Sequence, residues 1–142
     1  MRIFLTGGTG YIGAAVLDGL VRAGHRVDAL VRNSGKAAAV QARGAHPVMG
    51  DLATPATYAD AARAADGVVH TALESGPRAL QVETTAVDTL LAANDRPGRF
   101  VVYTSGVWVL GSTSLPADET APRCAPRRRQ HRPRTAGRSF GR

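Results

Sequence analysis

The fold is decided by the stretch TGGTGYIG at residues 6–13. It stands between an apolar run at residues 3–6 and a helical pattern that begins at Tyr11. In a strand–turn–helix context, Gly7 permits a tight turn, Gly10 lets a ligand approach the backbone, and Gly13 lets the helix pack on the strand. This spacing predicts that main-chain amides at the start of the helix bind the pyrophosphate of a dinucleotide. A glycine-rich turn without a ligand is the alternative.

Outward from this turn, short apolar runs alternate with helical patterns. Strands are predicted at residues 3–6, 26–31, 47–49, 67–71 and 100–104, and helices at residues 11–23, 34–43, 54–65 and 77–93. Strands that are apolar at nearly every position fit a sheet covered on both faces, and crossovers are right-handed. The sequence therefore predicts an α/β, Rossmann-type doubly wound parallel sheet with strand order 3-2-1-4-5, incomplete on its C-terminal side.

Two of the predicted helices carry more specific expectations. Thr54 is expected to cap the third helix, with Pro55 at its first position. The fourth helix is expected to bury one face, formed by Leu80, Thr84, Val87, Leu90 and Leu91. Gly24 and Gly44 are expected to end the first and second helices.

Composition excludes several classes of protein. A length of 142 residues with 44% apolar residues fits one globular domain. The single cysteine, Cys124, excludes a disulfide framework and a four-cysteine zinc site, and we expect no metal. No apolar run approaches the roughly 18 residues of a membrane span, so we expect no membrane partner. The N-terminal apolar stretch is too short for a signal peptide, and the expected location is cytoplasmic.

The charge is unevenly distributed. Residues 121–142 contain eight arginines and no acid, whereas residues 1–120 contain ten basic and 11 acidic residues. We therefore expect a folded domain at residues 1–120 and an Arg/Pro-rich, disordered tail at residues 121–142. The body is not expected to bind nucleic acid. A nucleotide-binding module whose basic tail binds nucleic acid is an alternative for the whole chain.

The glycine motif does not stand alone. Later matches are GDL at residues 50–52, VHTA at residues 69–72 and VYTSG at residues 102–106. With TGGTGYIG, they resemble the extended and atypical short-chain dehydrogenases/reductases, the NAD-dependent epimerase/dehydratase family. The resemblance covers residues 1–120. It implies an NAD(P)-binding Rossmann domain of an oxidoreductase that transfers a hydride to or from a sugar or small carbonyl substrate. A non-catalytic NADPH-sensing regulatory protein is an alternative.

The tip of the second strand bears on the choice of cofactor. A carboxylate there would bind the ribose 2′-hydroxyl of NAD, but Arg32 takes that position and Lys36 is near. Its fork-shaped guanidinium suits a 2′-phosphate, which favours NADP(H) over NAD(H). By resemblance, Asp51 accepts a hydrogen bond from adenine and Leu52 packs on the ring. The residues expected to bind the cofactor are Gly7, Thr9, Gly10, Tyr11, Ile12, Gly13, Arg32, Asp51, Leu52, Thr71, Ala72 and Leu73.

The catalytic residues of the family are not matched. The resemblance implies a Ser/Thr–Tyr–Lys site, with Tyr-x-x-x-Lys on the helix after the fifth strand. The only lysine is Lys36, and no tyrosine follows Tyr103. Thr104 or Ser105 could take the serine position, or could only end the strand. His70 is expected to be a packed, hydrogen-bonded histidine rather than an acid or base.

The end of the chain departs from the family pattern. Arginine, proline and glycine, which are frequent there, are residues that GC-rich DNA encodes when it is read out of frame. We therefore expect a frameshifted or C-terminally truncated product. Without later strands, the fifth strand would be an open edge that invites pairing with another chain, and a homo-oligomer is one outcome. The substrate, a small molecule, is not specified by the sequence.

Overall fold

The computed structural model describes residues 1–106, 116–118 and 120. Its main unit spans Met1–Thr104. The elements of this unit are β1 (Arg2–Thr6), α1 (Tyr11–Arg22), β2 (Arg26–Val31), α2 (Ser34–Gln41), β3 (His46–Met49), a 3-10 helix (Pro55–Thr57), α3 (Ala59–Arg63), β4 (Gly67–His70), α4 (Ala79–Ala93) and β5 (Phe100–Tyr103).

The five strands form one parallel sheet in the order β3-β2-β1-β4-β5. This confirms the predicted fold class and strand order. The order places β1 at the centre. Strands β2 and β3 are added on one side of β1, and β4 and β5 on the other, so the strand order reverses between β1 and β4. In such sheets, ligands bind at this switch point, outside the carboxyl ends of the strands.

Each face of the sheet has its own core. Phe4 and Val68 lie among Tyr58, Val82 and Leu90 on the face covered by α3 and α4. On the other face, the core is formed by Ile3, Leu5, Leu17, Val27 and Val40, and α1 and α2 cover it. Neighbouring residues of β1 thus point to opposite cores, because side chains alternate along a strand. This two-sided burial explains why the central strands contain so few polar residues.

Two glycines end helices as predicted. Gly24 follows α1 with φ +79°, and Gly44 follows α2 with φ +84°. The amide of His25 donates to the carbonyl of Leu20 at 3.0 Å, and the amide of Gly24 donates to that of Val21 at the same distance. This left-handed ending satisfies carbonyls of the last helical turn and sends the chain into β2.

The predicted helix at residues 54–65 is wrong as a single element. It is divided into the 3-10 helix and α3, and the Thr54 side chain makes no capping hydrogen bond. Instead, the Thr57 hydroxyl donates to the Thr54 carbonyl at 2.7 Å, and the Asp51 amide donates to Thr57 Oγ1 at 3.1 Å. These local side-chain contacts with the backbone compete with a continuous helix.

The predicted buried face of the fourth helix is also wrong in part. The residues that α4 buries are Val82, Ala86, Leu90 and Ala93. Leu80 and Leu91 are 81% and 51% exposed. The buried residues recur at intervals of three and four along α4 and so form one side of the helix, and Leu80 and Leu91 lie off that side.

Expectations for residues 107–115, 119 and 121–142, including the disordered tail, lie outside the described residues. Within the described part of the chain, no helix has both the length and the apolar character that crossing a membrane requires.

Candidate functional site: a cavity at the switch point

The glycine turn between β1 and α1 is fixed by close backbone contacts. Gly7 has φ +75°, and a Cβ added to it would lie 2.6 Å from the Ala72 amide nitrogen. A Cβ on Gly13 would collide with the Gly7 carbonyl and lie 2.6 Å from Thr71 Oγ1. Both positions therefore exclude any larger residue, because the atoms in the way belong to the backbone or to the partly buried, hydrogen-bonded Thr71.

The start of α1 is open to an anion. Gly10 is the N-cap residue, so it offers no side chain to the first-turn amides, and the first turn contains no acid. The first amides of a helix have no partner inside the helix, and the helix dipole places partial positive charge there. The Tyr11 side chain is 99% exposed, so it does not cover these amides. A helix start of this kind is suited to binding an anion such as a pyrophosphate.

The carboxyl ends of β1, β2 and β4 open into a cavity of about 720 Å³. Eight of the residues predicted to bind the cofactor line it: Gly7, Thr9, Gly10, Arg32, Leu52, Thr71, Ala72 and Leu73. The structure thus brings together residues that are as much as 66 positions apart in sequence. Residues that sequence reasoning did not assign to the site also line the cavity: Leu30, Val31, Asn33, Gly35, Lys36, Ala39 and Glu74.

Four predicted residues are not among those that line the cavity: Tyr11, Ile12, Gly13 and Asp51. Gly13 packs beneath Gly7, and the side chains of Tyr11 and Ile12 are 99% and 52% exposed. The Asp51 side chain accepts a hydrogen bond from the Ala53 amide at 2.8 Å and so stabilises the turn after β3.

The β2 side of the cavity is cationic. Arg32 follows β2 directly, and Lys36 stands in the first turn of α2. Asn33 caps α2, since its Oδ1 accepts a hydrogen bond from the Lys36 amide at 2.9 Å. Arg32 Nη1 lies 3.6 Å from Oε2 of Glu74, which reaches the cavity from the loop after β4. The first-turn position of Lys36 was visible in the sequence. Glu74 follows no pattern, so its place could not be anticipated.

The acid of β2 is remote from this chemistry. Asp28 is fully buried and pairs with Arg2 Nε at 2.5 Å. It also lies 3.7 Å from Arg26 Nε and 3.4 Å from His46 Nδ1. These contacts hold the amino-terminal ends of β1, β2 and β3 together, and Asp28 is not among the residues that line the cavity.

A buried hydrogen-bond chain supports the β4 side of the cavity. His70 is 1% exposed; its Nδ1 lies 2.7 Å from Thr6 Oγ1 and its Nε2 lies 3.2 Å from Glu83 Oε1. In the His70 tautomer whose Nε2 donates to the Glu83 carboxylate, Nδ1 accepts from the Thr6 hydroxyl. Thr6 Oγ1 in turn accepts from the Ala72 amide at 3.3 Å. The packed, hydrogen-bonded histidine expected from the sequence is therefore confirmed.

The same cluster extends to the edge strand. The Tyr103 ring stacks on His70, with ring centroids 5.7 Å apart. The Glu83 carboxylate, as hydrogen-bond acceptor, together with burial and the negative charge of that carboxylate, raises the pKa of the Tyr103 phenol. Thr6 also anchors the loop after β4 through its carbonyl, which accepts from Thr71 Oγ1 at 2.8 Å. One threonine thus joins the glycine turn, the β4 loop and the buried histidine.

The two catalytic candidates follow β5. Thr104 donates its amide to the His70 carbonyl at 3.0 Å, which continues the pairing of β4 and β5 by one residue. Thr104 and Ser105 are both exposed, and neither lines the cavity that the described residues form.

A parallel sheet in this order, with a glycine turn at its switch point and a cavity above it, is the arrangement of a Rossmann-fold dinucleotide-binding domain. Residues 7–120 match the family model described as NAD(P)H-binding. The match covers most of the chain, and the chain belongs to this NAD(P)H-binding family. Its cofactor is a nicotinamide dinucleotide, and the glycine turn and open start of α1 fit one.

Known proteins extend this assignment. The chain is 38% identical over 130 residues to a 4-hydroxy-2-methyl-3-oxo-4-farnesyl-3,4-dihydroquinoline-1-oxide ketoreductase of Stigmatella aurantiaca, an alignment that covers 86% of this chain and 39% of the relative. A 2-alkyl-3-oxoalkanoate reductase of Stenotrophomonas maltophilia is 37% identical over 76 residues, which cover 54% of this chain and 22% of the relative. The chain therefore spans well under half the length of these relatives.

A solved structure shows the same architecture. The crystal structure of a putative epimerase from Burkholderia cenocepacia matches with a TM-score of 0.73 and 30% identity, covering 87% of this chain and 43% of that one. The match supports the fold and the reductase/epimerase class.

Proposed function

We propose that this chain is the NADP(H)-binding domain of an oxidoreductase that acts by hydride transfer on a sugar or small carbonyl substrate. One observation carries the proposal: a single cavity joins the glycine turn at one end to Arg32 and Lys36 at the other. The nicotinamide, when bound, supplies or accepts the hydride. The residues described here bind and orient the cofactor.

The pyrophosphate site is formed by the main chain. Gly7 and Gly10 let the phosphates approach the backbone, and the first amides of α1 donate to them. Tyr11 and Ile12 contribute their amides, which agrees with side chains that point away. On the β4 side, residues 71–73 line the middle of the cofactor. Leu52 packs against adenine, while Asp51 offers the adenine amino group the oxygen that does not bind Ala53.

The preference for NADP(H) is assigned to the tip of β2. The Arg32 guanidinium makes charge-assisted, fork-like hydrogen bonds to a 2′-phosphate, and Lys36 adds a second positive charge. A site specific for NAD would place a carboxylate near the ribose 2′-hydroxyl. The acid of β2, Asp28, is instead buried in its ion pair with Arg2.

The proposed substrate class rests on the named relatives and on the residues that follow β5. The named ketoreductase and reductase relatives favour a carbonyl substrate. The sequence contains no Tyr-x-x-x-Lys pair. Thr104 and Ser105 are the candidates to hold a substrate oxygen. We therefore expect cofactor binding with impaired turnover.

A second candidate function is a non-catalytic NADPH-sensing protein, which would use the same cavity to bind the cofactor without a substrate. A carbonyl-dependent oxidation of NADPH, followed by absorbance, would decide against the sensor. A partner whose binding changes between NADPH and NADP⁺ would decide for it.

Calorimetric titration of the 142-residue chain with NADPH and NADH tests the cofactor assignment. We expect both to bind, NADPH more tightly. Arg32→Ala should weaken NADPH about tenfold while NADH changes little, because a hydrogen bond to a charged group is lost. Arg22→Ala, an exposed arginine in the last turn of α1, removes the same charge at the far end of the helix and is the control. Equal affinities that Arg32→Ala leaves unchanged would contradict the NADP(H) preference.

A further inference from the structure

Arg32 and Glu74 form an ion pair across the cavity. Arg32 follows β2 and Glu74 lies in the loop after β4, and β1 separates these two strands in the sheet. The pair therefore spans the carboxyl end of β1, where the glycine turn begins. Arg32 Nη1 and Glu74 Oε2 are 3.6 Å apart, and both residues line the cavity.

The carboxylate of Glu74 pairs with the Arg32 guanidinium, the group proposed to bind a 2′-phosphate. The Arg32 side chain is 55% exposed and the Glu74 side chain 28% exposed, so the pair is partly solvated. A partly solvated pair is weak and can be broken by a competing anion. A ligand with a free 2′-hydroxyl does not need Arg32 and leaves the pair intact.

We propose that Glu74 is a specificity-determining residue, which holds Arg32 across the cavity and so reduces the preference for a 2′-phosphate over a 2′-hydroxyl. The inference rests on the proposed role of Arg32 in NADP(H) binding. A 2′-phosphorylated ligand must displace Glu74 from Arg32 before binding, whereas an unphosphorylated ligand does not. Lys36 has no ion-pair partner among the described residues, so it attracts a phosphate independently of Glu74.

The test compares adenosine 2′,5′-bisphosphate with 5′-AMP, which differ at the ribose 2′ position alone and need no nicotinamide site. In Glu74→Gln, the shape is kept and the charge is removed. We expect the bisphosphate to bind about two- to fivefold more tightly, in line with the loss of a weak, partly exposed ion pair, and AMP to bind as before. The gain should shrink at high salt, which screens the wild-type pair.

Asp60→Asn is the matched control. Asp60 is an exposed acid that pairs with Arg63 on α3, and it does not line the cavity. The control removes the same charge and should leave the ratio of the two affinities unchanged. An equal gain in Asp60→Asn would show a general charge effect and overturn the role of Glu74.

Repeating Glu74→Gln in a chain that also carries Arg32→Ala tests whether Glu74 acts through Arg32. If Glu74 acts by holding Arg32, Glu74→Gln should bring no gain there, and a gain that persists would overturn the inference. A wild-type chain that does not prefer the bisphosphate, with Arg32→Ala without effect, would instead contradict the proposed NADP(H) function. Weaker bisphosphate binding in Arg32→Ala with no gain in Glu74→Gln would contradict the inference alone.

Discussion

The two ends of the cavity are built on different physical grounds. At the glycine turn, Gly7 and Gly13 are fixed because a single added carbon would strike backbone atoms. At the tip of β2, Arg32 is 55% exposed and is held by one ion pair at 3.6 Å. Steric packing therefore defines the end proposed for the pyrophosphate, which all dinucleotides share. Charged side chains that can move define the end proposed for the ribose, where NAD and NADP differ.

This contrast separates binding from selectivity. The glycine turn is continuous with the core through Thr6, which is fully buried and hydrogen-bonded to His70. A change there should affect stability and the binding of both cofactors. A change at the β2 tip should affect the choice between cofactors and leave stability nearly unchanged.

The largest effect is expected for Gly13→Ala. The added methyl group collides with the Gly7 carbonyl, so the turn must move away from α1. We expect about 1–3 kcal/mol of destabilisation in urea unfolding. NADPH and NADH should both bind about ten- to a hundredfold more weakly in calorimetric titrations, because amide contacts to a charged group are displaced.

Gly19→Ala in the same helix is the control for this change. A Cβ there would have no neighbour within 4 Å. We expect it to stabilise the chain by about 0.5–1 kcal/mol, since alanine is the better helix former. If the two variants had the same stability and the same affinities for the cofactors, steric contacts would not be what fixes the glycine turn.

Thr6→Val should have the next largest effect. Valine keeps the shape and removes the hydroxyl that donates to His70 and accepts from the Ala72 amide. The buried His70 ring nitrogen and the partly buried Ala72 amide each lose a partner, so we expect about 1–3 kcal/mol of destabilisation in urea unfolding. Thr84→Val is the control, because its exposed hydroxyl donates to the carbonyl of Leu80 within α4, and we expect a change within about 0.5 kcal/mol. A destabilisation as small as that of the control would show that the buried chain contributes little.

Lys36→Gln examines the other end of the cavity. Lys36 is partly exposed, and its charge is expected to act on a 2′-phosphate from one side. We predict about twofold to fivefold weaker binding of NADPH, unchanged binding of NADH and unchanged thermal stability, as for one partly screened charge. An equal loss of affinity for both cofactors would indicate that Lys36 acts on the pyrophosphate. It would contradict the assignment of Lys36 to the ribose end of the cavity.

The smallest effect concerns Tyr103. Glu83 raises the pKa of this phenol above its ordinary value of 10.0. Because the raised folded-state pKa favours the protonated form, its stabilising effect is complete below the unfolded value and is lost as pH rises through the folded value. Ultraviolet titration of the wild type minus Tyr103→Phe should show phenolate forming at higher pH than in free tyrosine. Glu83→Gln should return it towards the ordinary range; no return would exclude Glu83 as the cause.

The sequence predicted the fold because its strongest signals are local. The glycine spacing in residues 6–13 and the apolar strands determine the turn and the strand order. The third helix was mispredicted because the Thr57 hydroxyl donates to the Thr54 carbonyl and accepts from the Asp51 amide, contacts that compete with a continuous helix. Leu80 and Leu91 were misplaced because the buried side of α4 includes two alanines, Ala86 and Ala93, which a search for large apolar residues does not select.

The site was predicted unevenly for a related reason. Residues that follow strands, such as Thr71 and Arg32, lie at the carboxyl edge in any sheet of this order. Glu74 lies in a loop without periodicity, and its contact with Arg32 depends on how that loop crosses the end of β1. For Asp51 the structure adds a role that the sequence did not predict, because its Oδ1 accepts from the Ala53 amide in the turn after β3, while the adenine contact suggested by its motif stays a prediction.

The most direct test of the two-ended cavity is a nuclear magnetic resonance titration of the ¹⁵N-labelled chain with NADPH and NADH. Both ligands should shift the amides of Gly7, Gly10 and Ala72, and the responses at Arg32 and Lys36 should differ between the two cofactors. Binding that leaves Gly7 and Gly10 unshifted, or that perturbs Arg32 identically with both ligands, would contradict the account.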